Sequence, residues 1–267
     1  MIQKIQNKTF AQQSALFARI AELAYQPPDK APALFKKLGY TTRYLSNKGS
    51  EAYIVEDGND MIVACRGTEP KQWSDISADL SIDRVKPLVG AGKVHVGFKS
   101  YTDKLWDNIR EHVVRGPADN KVLWVTGHSL GAAMATLVSR RCVMAEHLQT
   151  PMALFTYGCP RVGNKEYVSE FNDKLVHHRW VNSGDIVTKV PLPPFFYHTG
   201  TMHHIGSDGL ISKNAEKKNK IKFLLKLVLG FGPALLSKIM GDAKDHSIQT
   251  YVQRLTSYEM NEVDAEV

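Results

Sequence analysis

A serine between two glycines, Gly127-His128-Ser129-Leu130-Gly131, is where covalent chemistry could begin in this chain. A serine hydroxyl is a weak nucleophile at neutral pH. It becomes effective when a histidine takes its proton, and the histidine works best when a carboxylate fixes its tautomer. The flanking residues fit a strand running into a helix. Val122, Leu123, Trp124 and Val125 precede the serine, and Ala132, Ala133 and Ala135 follow it. A sharp strand-to-helix turn pushes such a serine outward, and glycines are needed where larger side chains would collide. In a chain of this composition the pattern arises by accident about one time in ten. Its plain structural reading is a tight turn with a serine helix cap, so the partner residues decide.

For the carboxylate, the segment 179–187 runs from an apolar strand into Ser183-Gly184-Asp185. Asp185 then sits on a loop at a strand's C-terminal end, where ligands gather in open α/β sheets. The other reading of Asp185 is an ordinary turn aspartate. Asp173 is expected on a helix and Asp208 in a Ser-Asp-Gly turn, which places both less well. For the base, His198, His203, His204 and His246 all follow Asp185. His246 stands at the junction into the last helical stretch (Ile248, Tyr251, Val252, Leu255), which leaves its ring free to reach a distant serine. His204, in a strand-like segment, is the next candidate. His128 adjoins the serine but should point away from its hydroxyl and pack under the turn.

Acyl transfer also needs N–H donors for a developing oxyanion. One belongs to the residue after the nucleophile, Leu130, and another to a loop after an earlier strand. The strand-like run 61–65 is followed by Arg66-Gly67-Thr68, which makes Thr68 the second donor.

These residues fall into ordered blocks that resemble the class 3 lipase family. The blocks are Cys65-Arg66-Gly67-Thr68, His95-Val96-Gly97-Phe98, the turn around Ser129, Tyr157-Gly158-Cys159-Pro160-Arg161-Val162-Gly163-Asn164, and 181–191 containing Asp185. Asp245-His246, with Tyr251 five positions on, resembles the family's terminal histidine block. The likeness spans about residues 50 to 256. It implies an α/β-hydrolase fold, with Ser129, Asp185 and His246 as a triad and Thr68 and Leu130 as oxyanion donors. It also implies a lid over 69–84, where Trp73, Ile76 and Leu80 recur at helical steps. One departure is Gly131-Ala132, where the family often carries two glycines.

The elements that must position these groups follow from periodicity. Apolar residues at helical spacing run from Thr9 to Tyr25 (Phe10, Leu16, Ile20, Leu23), ahead of Pro27-Pro28. Strands are expected over 41–45, 52–55 and 61–65, the last two joined by Asp57-Gly58-Asn59-Asp60 turn chemistry. Phe98, Tyr101, Leu105, Ile109 and Val113 mark a helix. Strand 121–126, helix 130–147, strand 152–157, helix 164–174 and strand 176–182 then alternate. Such alternation predicts an α/β fold with a mostly parallel central sheet and helices on both faces.

The chain has 267 residues and no linker-like tract or internal repeat. One domain spanning 1–267 is therefore expected. Three cysteines do not make a disulfide framework. The first residues lack a long apolar run, so no secretory signal is expected. That places the protein in the cytoplasm or at a membrane periphery, unless a non-classical route exports it.

Net charge is +7, and much of it is local. Between 213 and 240 lie seven lysines, opposed by Glu216. They alternate with apolar runs broken by Gly230-Phe231-Gly232-Pro233. The break and the lysines argue against a spanning helix. They favour an insertion over 213–244 that caps the site or lies on an anionic membrane, and they give no general nucleic-acid surface. The expected activity is a serine carboxylester hydrolase on lipid esters, a triacylglycerol lipase, with no metal or cofactor. A phospholipase A1 or soluble-ester esterase is the alternative on the same site. A catalytically silent lipid- or membrane-binding protein is the alternative of another class.

Overall fold

The computed structural model describes residues 3–67, 83–114, 120–213 and 244–265. Its first helix, α1 (Phe10–Leu23), begins at a reciprocal cap. The Thr9 hydroxyl accepts the Gln12 N–H, and the Gln12 side chain accepts the Thr9 N–H. A short helix α2 (Ala31–Lys37) follows, with Pro32 in its first turn. Sequence periodicity missed it, because seven residues hold less than two full repeats of an apolar face.

Three strands come next, β1 (Thr41–Asn47), β2 (Ser50–Glu56) and β3 (Asp60–Cys65), paired antiparallel in series. A small ribbon, β4 (Arg84–Val85) with β5 (Val94–His95), leads into α3 (Val96–Val113). Then β6 (Val122–His128), α4 (Leu130–Met144), β7 (Ala153–Tyr157), α5 (Lys165–Phe171) and β8 (His177–Asn182) alternate. Strands β9 (Thr201–Ile205) and β10 (Ile211–Lys213) complete the sheet, and α6 (Ile248–Ala265) follows.

The eight-stranded sheet has the order β1-β2-β3-β6-β7-β8-β9-β10. The run from β3 to β9 is parallel, and both flanks are antiparallel. Alternation along the strands feeds two cores. Met61, Val63, Cys65, Leu123 and Val125 face one core with α3 and α4. Ile62, Ala64, Trp124, Phe155 and Tyr157 face the other with α1 and α6. Central strands buried on both faces are the reason their sequences are continuously apolar. Among the described residues no helix is long and apolar enough to cross a membrane.

One buried carboxylate ties the N-terminal segment to the sheet. Asp60 accepts the Ile5 main-chain N–H at 3.1 Å and the Trp124 indole N–H at 2.8 Å. For the site, the decisive feature is register. Cys65 lies opposite Gly127, Gly127 opposite Thr156, and Thr156 opposite Arg179. The carboxyl ends of β3, β6, β7 and β8 therefore finish side by side, and the loops after them share one edge.

Candidate active site

Ser129 occupies the turn between β6 and α4. Its φ of 61° is in the left-handed region, which a non-glycine residue enters at a cost of about 1–3 kcal/mol. Its surroundings hold it there. The Ser129 N–H continues the parallel ladder to the Tyr157 carbonyl at 3.0 Å. At Gly131, an added Cβ would collide with the Cys65 carbonyl oxygen and lie 2.8 Å from Gly67 N. The start of α4 is thus pressed against the end of β3, and glycine is what allows it.

The Ser129 hydroxyl lies 2.8 Å from His246 Nε2. His246 Nδ1 is 3.0 Å from both carboxylate oxygens of Asp185. The three side chains come from separate places along the sheet edge and are all buried. Asp185 also accepts the Tyr251 hydroxyl at 2.7 Å on Oδ2 and the Val187 N–H at 2.9 Å on Oδ1. Burial pushes the Asp185 pKa up. The opposing pull of His246, with hydrogen bonds from His246 and Tyr251, outweighs it and holds the carboxyl below its ordinary value. Tyr251 is pushed well above its ordinary value by burial and by the Asp185 charge, so it stays a donor. The Tyr251 oxygen also accepts the Asn182 N–H at 3.0 Å.

His246 reaches the serine because its own backbone is fixed. Asn182 Nδ2 donates to the Asp245 carbonyl at 2.8 Å, and His128 Nε2 lies 2.6 Å from the His246 carbonyl. Arg254 on α6 pairs with the Asp245 carboxylate at 2.8 Å. Gly158, at φ 58°, leaves room for the pair. A Cβ there would sit 2.8 Å from Asp185 Oδ2 and 3.0 Å from His246 Nδ1. Arg161, from the same block, donates to the carbonyls of Lys189 and Pro191 and braces the loop after Asp185.

Leu130 is the first residue of α4, whose opening N–H groups have no acceptor within the helix. Thr68, and the lid residues Trp73, Ile76 and Leu80 of 69–84, lie outside the described residues, as does 214–243 of the basic insertion. The other candidates are placed elsewhere. His198 is half-buried and donates to the Thr188 carbonyl at 2.7 Å. His203 pairs with His178 at 3.1 Å, and His204 lies on β9. Asp173 stands in an exposed turn just past α5 rather than on a helix, and Asp208 in another exposed turn.

Tyr251, Asn182 and Gly158 have roles that residue spacing did not reveal. Tyr251 reaches across 66 residues to Asp185, a separation that leaves no local pattern. Burial pushes the thiols of Cys65, Cys142 and Cys159 up to about 12, so none competes as a nucleophile. Among the described residues no cluster of His, Cys, Asp or Glu is placed to hold a metal ion. The arrangement can take a proton from one hydroxyl and return it to a leaving group.

Comparison with known proteins gives a consistent picture. The family described as Lipase (class 3) matches residues 62–195, half of the chain. A lipase of Caenorhabditis elegans, ZK262.3, is 30% identical over 168 residues, covering 61% of this chain and 47% of its own. Phospholipase A1-II 4 of Oryza sativa is 30% identical over 159 residues, covering 49% of this chain and 40% of its own. The match thus spans less than half the length of either relative. The solved structure of lipase II from Rhizopus niveus superposes with a TM-score of 0.63 at 24% identity, covering 73% of this chain and 80% of that one. The shared fold is the α/β-hydrolase fold.

Proposed function

This chain belongs to the class 3 lipase family, and from that premise we propose that it hydrolyses carboxylic esters of lipids through an acyl-enzyme on Ser129. The observation that carries this reading is the unbroken hydrogen-bonded line from Ser129 through His246 to Asp185, at 2.8 and 3.0 Å. His246 takes the hydroxyl proton as Ser129 Oγ bonds to the ester carbonyl carbon. The negative charge on the carbonyl oxygen is met by the N–H groups of Leu130 and Thr68. Losing one such donor costs about 2.7–4 kcal/mol of transition-state stabilisation in comparable sites. His246 then protonates the departing alcohol as the ester C–O bond breaks. Water, deprotonated by His246, adds to the acyl carbonyl; the bond to Ser129 Oγ then breaks, His246 returns the proton to that oxygen, and the fatty acid leaves.

The contact of Gly131 with the end of β3 supports the oxyanion assignment, since it draws the chain entering Thr68 beside Leu130. The substrate class is a triacylglycerol or related acylglycerol. A phospholipid sn-1 ester is the second reading, favoured by the seven lysines against one glutamate over 213–240. Near an anionic surface each lysine is worth about 1 kcal/mol of attraction. The lid over 69–84 and the insertion over 213–244 would then form the surface that meets lipid.

One experiment tests both levels. The protein and Ser129→Ala are treated with a fluorophosphonate, and rates are measured on triacylglycerol emulsion, anionic and zwitterionic phospholipid vesicles, and a soluble short-chain ester. Labelling is expected for the parent chain and absent for S129A, with turnover down by several orders of magnitude, as in triad knockouts generally. Equal activity in S129A would sink the mechanism. Rates on lipid dispersions no higher than on the soluble ester would sink the interfacial substrate.

A further inference from the structure

Beneath the nucleophile, the position of a hydrogen can be deduced. His128 Nε2 lies 2.6 Å from the main-chain oxygen of His246, and His128 Nδ1 lies 2.8 Å from the Tyr25 hydroxyl. A carbonyl oxygen can accept and never donate, so Nε2 carries the hydrogen. The ring is buried 4.7 Å from the His246 ring, and burial pushes its pKa down to about 3. It is therefore neutral, and Nδ1 presents a lone pair. The Tyr25 hydroxyl must be donating to it.

We propose that Tyr25 is a positioning residue for the general base: its hydroxyl donates to Nδ1 of His128 and fixes the angle of that ring, and the ring's Nε2–H holds the backbone of His246 in register with Ser129. The proposal rests on the reading of His246 as the base. The carbonyl fixes the tautomer and the phenol fixes the ring's orientation, together doing what a carboxylate does for a catalytic histidine, one layer beneath the site. Without the hydroxyl, Nδ1 keeps a buried lone pair with no donor, and the ring can tilt away from the His246 carbonyl. The 2.6 Å bond from Nε2–H to the His246 oxygen would bend and lengthen with it, and the His246 backbone would lose its anchor.

Tyr25 is itself well held. It follows α1 directly, and the Arg66 guanidinium stands over its ring at 5.9 Å. Arg66 is in turn ion-paired with Glu51. A Cβ on Gly67 would collide with the same tyrosine hydroxyl and would lie 2.6 Å from the His128 carbonyl oxygen. One phenol thus touches both the chain entering Thr68 and the histidine that steadies His246.

The test combines spectroscopy with kinetics. Nitrogen-15 shifts of His128 in the parent chain should report hydrogen on Nε2 and a hydrogen-bonded lone pair on Nδ1, and Tyr25→Phe should move the Nδ1 shift to that of a lone pair with no donor. Y25F should lower kcat about tenfold, the worth of one buried hydrogen bond, with KM changed less than about twofold. In His128→Gln the ring that Tyr25 orients is gone, so adding Y25F to H128Q should cost less than about twofold. An Nδ1–H tautomer in the parent chain overturns the proposal even if Y25F does not fold. So does an unchanged kcat in a folded Y25F, or an undiminished Y25F penalty in the H128Q background. Failure of fluorophosphonate labelling in the parent chain instead removes the hydrolase reading and leaves the tautomer measurement standing.

Discussion

At the scale of single residues, the site depends on groups that never touch substrate. Tyr251 donates to Asp185 and accepts from the Asn182 backbone. A hydrogen bond to a buried carboxylate is worth about 1.5–3 kcal/mol. Tyr251→Phe should therefore lower kcat/KM by roughly tenfold to a hundredfold, as measured by steady-state kinetics beside a thermal melt. An effect below twofold would mean the Val187 N–H and His246 orient Asp185 unaided. Sequence reading and structure meet unevenly at this scale. Ser129, Asp185 and His246 were legible because their order and their turn contexts are local signals. Tyr251 and Tyr25 were not, because their partners stand 66 and 103 residues away. A tyrosine beside an apolar helical stripe reads as core, and only the fold discloses what its hydroxyl meets.

At the scale of elements, the strand–serine–helix turn and the end of β3 form one packed unit. Gly131→Ala would drive a methyl into the backbone at Cys65 and Arg66. The obstacle is main chain, so no rotamer change relieves it. Overpacking of this kind costs about 1–3 kcal/mol, which lowers Tm by several degrees in a domain of this size. Activity should fall further than stability, because the shift separates Leu130 from the chain entering Thr68. Calorimetry with kinetics on the folded fraction checks this, and an active, equally stable G131A would count against it. The central alternation of strands and helices was readable from period alone. The short pieces α2 and β10 were not, with seven and three residues. β10 exists because β9 offers it an edge, a condition no local pattern encodes.

At the scale of the molecule, several histidines are kept neutral by burial. His128 is held down to about 3, His178 and His203 to about 4, and His177 and His198 well below the ordinary value. Their unfolded value is about 6.5. As pH falls through that value the unfolded chain binds protons that the folded chain does not, so stability is lost between about pH 6.5 and 4. Above that window these residues contribute their full share. Asp185, with its pKa held low, extends the same trend below about pH 4. Denaturant unfolding measured from pH 7 to pH 4 should show stability falling steadily, with more than one proton taken up on unfolding. A flat profile would mean that these rings titrate normally within the fold.

If Ser129, Asp185 and His246 act as proposed, their positions along the chain have a consequence for synthesis. The base stands 117 residues after the nucleophile and 61 after the acid, and it docks through α6 against α1. A ribosome making this chain therefore completes the strand–serine–helix turn and the Asp185 loop while no base exists to use them. Translation order would then leave Ser129 without its base until the last helix is made. Activity would begin only once His246 has emerged and α6 has packed onto α1.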